Sequence, residues 1–479
     1  MSPCNCLERL CFVALFVTVL SPCFPVRAIS QAGGVASLSE HKLRKEHTRT
    51  LSLAAYDGST NDSFGNSYYN PVPKPPDSGL EPFLILPQNG IFGSYGTTEN
   101  GHSSQMLVMG YYPDWVSSSF PPEKINFKWF DWIDFAFAVP SDDYTLLWDE
   151  PGGAPALLKR LIASAHSQGT KVKLSIGGWT GSKHFSSAVA NDTSRKTFVN
   201  NILATYMTYE LDGIDIDWEY PGREGSPGNE FGPDDTTNFL LFLQRLRAAL
   251  PLDARITAAV EPTPFLDDKG RPMDDVSTFA EVLDWVLIMN YDVWGSSSSP
   301  GPNAPFYDGC GNSTQPEASA VGSFNAWTAA GFPARKLVLG LPSYGYISSS
   351  SAKSLKTRSK QPSKKQRHSL KVVNEDGGSD GQVQFRDLII QGALLSTNDT
   401  IRYASSGGFV RLWDSCSSTP YLRSSSSNQI ITYDGPISLG MKAAFAKAVG
   451  MLGVNIFDIH GDTDDGDLMN GVRKSMGLS

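Results

Sequence analysis

Eight short apolar runs, spaced from residue 107 to residue 459, constrain this chain more than any other feature. They cover residues 107–112, 132–139, 172–176, 213–218, 256–260, 285–289, 337–341 and 454–459. Each is short enough for a buried strand, and the segments between them carry apolar residues at helical spacing, as in 156–167, 198–211, 236–250 and 439–449. Buried strands alternating with helices predict a parallel (β/α)8 TIM barrel. An open α/β sheet is the competing architecture, but no Gly-rich phosphate loop follows the first run. Residues 342–453 separate the last two runs, far more than one helix needs. That stretch has strand-like pieces of its own at 383–385, 401–403, 408–413 and 429–433. An α+β insertion is therefore expected over 347–436, opening with a disordered Ser/Lys/Arg loop at 348–369.

The chain is 479 residues long with 40% hydrophobic residues, enough for one large domain, expected over 106–479, plus extensions. Its net charge of −9 argues against a nucleic-acid partner. Residues 1–28 read as an export signal: the apolar run 10–20 is too short to span a bilayer, and Val26-Arg27-Ala28 offers a small-residue cleavage site. An uncleaved signal-anchor is the alternative. Residues 29–105 read as a flexible Ser/Gly/Pro-rich leader. Four of six cysteines lie in the signal, which leaves Cys310 and Cys416 as one expected disulfide in an exported chain, with two free thiols as the alternative. Asn61, Asn191, Asn312 and Asn398 each begin an Asn-x-Ser/Thr sequon.

The fourth run carries the chemistry. Residues 212–219 read Asp-Gly-Ile-Asp-Ile-Asp-Trp-Glu. On an extended strand Asp215, Asp217 and Glu219 share one face, about 7 Å apart, while Ile214, Ile216 and Trp218 share the other. A solvated surface strand would alternate in the same way. Here a helical segment precedes the strand, so the apolar face suits packing under helices, and Tyr220-Pro221-Gly222 stops the strand at once. Glu219 then falls at a carboxyl-terminal strand end, where α/β barrels keep reactive groups. Buried acids are costly unless paired or protonated, so the row reads as a site. Trp115, Trp179 and Trp294 also follow strand ends, where an indole can face a cleft and stack on a ligand.

Other strand ends carry Tyr111-Tyr112-Pro113-Asp114-Trp115, Ser175-Ile176-Gly177-Gly178-Trp179 and Met289-Asn290-Tyr291-Asp292, and Tyr433, Asp434, Ser438 and Lys442 precede the last run. In this order the segments resemble the family-18 glycoside hydrolases, in particular secreted fungal-type chitinases, over residues 106–479. The resemblance implies that Glu219 is the general acid and that Asp217 orients the substrate's 2-acetamido group. It implies further that Asp215 shares a proton with Asp217 and that Tyr291 hydrogen-bonds the same acetamido group. Tyr111, Phe137, Gly178, Trp179, Met289, Asp292, Tyr344 and Phe457 would belong to the sugar cleft, and Asp212 and Ser175 would be structural supports beneath the acids. The implied reaction is retaining and substrate-assisted, with no metal and no cofactor.

Two positions depart from that pattern: Phe457 stands where many relatives have Trp, and Tyr346 where some have Arg. The expected partner is chitin or chito-oligosaccharides, acted on by a monomer without stable membrane association, outside the cell or at the cell wall. An endo-β-N-acetylglucosaminidase acting on N-glycans and a non-catalytic chitin-binding lectin are the competing functions.

Overall fold

The structure, a computed structural model, describes residues 106–149, 152–352, 355, 370–373, 381–397 and 402–478. The expected signal and leader, Asn61, Asn398 and most of the basic loop lie outside the described residues. Eight parallel strands close into a barrel: β1 (Leu107–Pro113), β2 (Trp132–Pro140), β3 (Lys171–Gly177), β4 (Gly213–Asp217), β5 (Arg255–Val260), β6 (Trp285–Ile288), β7 (Leu337–Pro342) and β8 (Gly453–Phe457). Each pairs with the next, and β8 pairs with β1. Every one of the eight apolar runs forms a barrel strand.

The long gap between β7 and β8 holds a five-stranded antiparallel sheet in the order Gln382–Gln384, Tyr344–Ser349, Gln429–Thr432, Thr419–Ser424, Val410–Asp414. The helix Phe385–Ile390 and the ribbon of Leu394–Ser396 with Tyr403–Ser405 accompany it. Ser348 and Ser349, which the sequence assigns to the basic loop, instead end a strand, paired with Ile430 and Gln429. Their ladder bonds to a buried neighbour outweigh the polar composition of the tract. Cys310 and Cys416 form a disulfide that ties the segment after β6 to this insertion.

The strand that carries the acids is set from both ends. Asn191 Oδ1 accepts from the backbone N–H of Thr193 and Ser194, both at 3.0 Å, and so starts the helix Asp192–Tyr209. Glu210 ends it in the left-handed conformation (φ 56°), turning the chain into β4. Ile214, Ile216 and Trp218 on the outer face are at most 2% exposed. Trp218 stacks on Phe185 with ring centres 5.2 Å apart and meets the edge of Phe239 at 5.5 Å, both on covering helices. This apolar anchorage obliges the opposite face, with Asp215 and Asp217, to look into the barrel.

Before β8, Pro436 opens the helix Pro436–Ala448 at a position where its missing N–H is harmless. Lys442 Nζ on that helix lies 2.7 Å from Asp434 Oδ1, with both side chains fully buried. Burial alone lowers the Lys442 pKa, and the Asp434 carboxylate opposes it. Removing only the cation strands a buried charge. Lys442→Met is therefore expected to lower stability by about 3–5 kcal/mol in urea unfolding, while Asp434→Asn/Lys442→Met loses clearly less.

Candidate active site

The carboxyl ends of the strands surround a cleft of about 250 Å³ lined by Trp115, Phe137, Asp149, Gly177, Gly178, Trp179, Thr180, Asp217, Glu219, Met289, Tyr291, Asp292 and Phe457. Nine of these are site residues that the family resemblance implies, and Trp115 is a tenth expected from its place after a strand end. Asp217 lies in register with Gly177, and Gly177 has φ +119°; a Cβ there would sit 2.1 Å from the Asp217 carbonyl oxygen. Only glycine lets β3 close so tightly on the acid strand. The Gly178 N–H then donates to the same carbonyl at 2.8 Å. Ser182 Oγ accepts from the Glu219 backbone N–H at 2.9 Å, which fixes the chain just beyond β4.

Asp215 lies below the cleft. Tyr111 Oη and Ser175 Oγ donate to its Oδ2 at 2.8 Å each, and Thr257 Oγ1 donates to its Oδ1 at 2.5 Å. Asp217 is 4% exposed, and its Oδ1 is buried without a hydrogen-bond partner among the described residues. Burial first, then the charges of Glu219, Asp215 and Asp134, push its pKa well above the usual carboxylate range. Glu219 is half-buried, and burial raises it to about 7; Asp292 and Glu261 add to the rise while Tyr220 and Arg223 oppose it. The row thus presents an acid poised near neutrality above a second one that burial biases toward its protonated form.

Phe457 sits among aromatic rings, 5.3 Å from Tyr111 and 6.0 Å from Tyr291 between centres, and supplies an apolar floor. Tyr344 and Tyr346 both donate to Asp292 Oδ1, at 2.7 and 2.6 Å. Trp115 and Trp179 are 44% and 51% exposed at the rim, free to stack on a ring.

Four residues fall elsewhere than expected. Tyr111 and Tyr344 are buried beneath the wall rather than exposed in the cleft. Trp294 lines a separate hollow with Pro302, Tyr307 and Gln315, and Gly301 packs so closely on its indole that a Cβ there would stand 2.4 Å from Trp294 Cγ. Asp212 lies at the opposite end of β4 from Glu219, where its carboxylate binds His166, Lys171 and the Val172 N–H; it anchors the strand's start and does not sit under the acids. Of the sequons, Asn191 and Asn312 are exposed. The sequence reading missed Asp149, Thr180 and a charged floor of Asp134, Lys173, Thr257 and Asn455. A signal for Lys173 existed, since it shares strand parity with Ser175 and so must face inward.

The model of the glycosyl hydrolases of family 18 matches residues 107–462. The chain belongs to this family. It is 35% identical over 419 residues to a chitinase-like effector of Moniliophthora roreri, spanning 83% of this chain and 99% of that protein. It is 30% identical over 358 residues to chitinase A1 of Niallia circulans, spanning 69% of this chain and 45% of that protein. Among solved structures, a chitinase from Rhizomucor miehei superposes with a TM-score of 0.63 at 30% identity, over 77% of this chain and 99% of that one. The barrel fold is therefore shared with a solved chitinase.

Because Asp217 binds its proton more tightly folded than unfolded, its contribution to stability is complete below the unfolded pKa of about 3.9 and is lost as pH rises toward the native value. Asp217→Asn is thus expected to melt above the wild type at neutral pH. The gap should close as pH falls toward about 4, read by thermal denaturation across pH.

Proposed function

We propose that this family-18 chain is a secreted chitinase that hydrolyses β-1,4 bonds between N-acetylglucosamine units by a substrate-assisted, retaining route. The observation that carries the reading is Glu219, a carboxyl held at about 7, facing the cleft together with Asp217 and Tyr291. Glu219 gives its proton to the glycosidic oxygen as the C1–O bond breaks. The carbonyl oxygen of the 2-acetamido group bonds to C1 from the other face and forms an oxazolinium ion. Asp217 takes a hydrogen bond from the acetamido N–H, and the Tyr291 hydroxyl donates to the acetamido oxygen; both hold the nucleophile in line. Water then attacks C1, the bond from C1 to the acetamido oxygen breaks to restore the acetamide, and Glu219, now a carboxylate, takes the water's proton. Holding the acetamido group against C1 replaces an intermolecular attack by an intramolecular one, worth roughly 7–11 kcal/mol in well-oriented models. Secretion fits the Cys310–Cys416 disulfide, which needs an oxidising compartment.

Binding without turnover is the competing reading, prompted by the effector names of the relatives from Moniliophthora roreri and Moniliophthora perniciosa. The complete acid row favours hydrolysis, since a lectin has no use for an acid poised near neutrality. Release of reducing ends from colloidal chitin, set beside a high-mannose glycopeptide, separates chitinase, N-glycan endoglycosidase and lectin. Activity is expected on chitin, falling as pH rises through about 7 while Glu219 loses its proton. Glu219→Gln is expected to lower kcat by about 10²–10⁴-fold and keep oligosaccharide binding; near-full turnover in that variant would contradict the assignment.

A further inference from the structure

The floor under the acid row holds a cation that the reaction above does not use. Lys173 on β3 is 1% exposed, and its ammonium lies 2.9 Å from Asp134 Oδ1 on β2 and 4.0 Å from Asp215 Oδ1. It donates to Thr257 Oγ1 at 2.8 Å. The barrel makes room for it: a Cβ at Gly213, its neighbour in register on β4, would stand 3.0 Å from Lys173 Cγ. Trp285 offers its ring face 4.6 Å from the ammonium. A lysine packed this deeply costs several kcal/mol unless its charge is used by its surroundings.

The hydroxyl of Thr257 has one proton. With Lys173 donating to its oxygen, that proton goes to Asp215 Oδ1. Asp215 thus receives three O–H donors, which favour its carboxylate over a protonated form whose hydroxyl oxygen accepts more weakly. Asp217 offers the opposite setting, a buried Oδ1 with no partner among the described residues. We infer, on the hydrolase reading above, that Lys173 and Thr257 are positioning residues that keep the negative charge of the aspartate pair on Asp215 and its proton on Asp217. The charge then stays on the floor, away from Glu219. Asp215 is faced by Tyr111 from β1, Asp134 from β2, Lys173 from β3, Asp217 from its own strand and Tyr291 beyond β6, so among these described neighbours the cation is Lys173.

Without Lys173 or the Thr257 hydroxyl, the anion moves up to Asp217 and its charge makes Glu219 hold its proton to higher pH. Lys173→Met and the near-isosteric Thr257→Val are expected to lower kcat about tenfold and shift the alkaline limb of the rate profile up by about one pH unit, while Thr257→Ser restores both. A limb that stays in place in both variants would overturn the inference. Infrared difference spectra of the resting protein, taken above the titration of Glu219, read the proton without turnover. The protonated-carboxyl band should vanish in Asp217→Asn and persist in Asp215→Asn, and this pattern should reverse on a Lys173→Met background. The opposite pattern in the otherwise wild-type protein sinks the inference even if chitin is hydrolysed. The expected pattern with no hydrolysis sinks the hydrolase reading alone.

Discussion

Placing carboxylates inside an apolar barrel costs several kcal/mol for each one left unpaired, and β4 carries Asp215 and Asp217 inward with Glu219 just beyond its end. That desolvation penalty organises the rest of the site. It raises Asp217 well above the carboxylate range and Glu219 to about 7, so the acids meet it by holding protons. Asp215 meets it differently, through three hydroxyl donors and a buried ammonium 4.0 Å away. One strand thereby gives neighbouring acids different surroundings, one fed by hydrogen-bond donors and the others desolvated.

The penalty is sustained by packing on the other face. Ile214, Ile216 and Trp218 are locked under the helices Phe185–Val189 and Asp235–Ala249, so β4 cannot slip by one residue without burying acids among Phe185 and Phe239. At its start Asp212 clamps the Val172 N–H, and at its end Ser182 holds Glu219 in place. The acid row is rigid because its apolar complement is.

The barrel was legible because period and length survive in sequence: every apolar run became a strand, and alternation in 212–219 told inside from outside. The inserted sheet was legible in outline, but Ser348 and Ser349 read as loop because strand membership there depends on a partner, Gln429 and Ile430, about eighty residues away. Side-chain direction beyond a strand end was the least legible quantity. Trp294 and Trp179 each follow a strand, yet one lines a separate hollow against Gly301 while the other stays at the cleft rim. The Asp134–Lys173–Thr257 floor escaped notice because its members come from three strands and become neighbours only when the barrel closes.

The central claim is that a protonated Glu219 works with a nucleophile supplied by the sugar itself. Proton NMR of the reducing ends formed in the first minutes of chito-oligosaccharide cleavage, before mutarotation, tests it directly. The account expects the β-anomer to appear first, through two successive inversions at C1. Initial release of the α-anomer would mean that water attacks in a single step, and the acetamido group would have no part in the reaction.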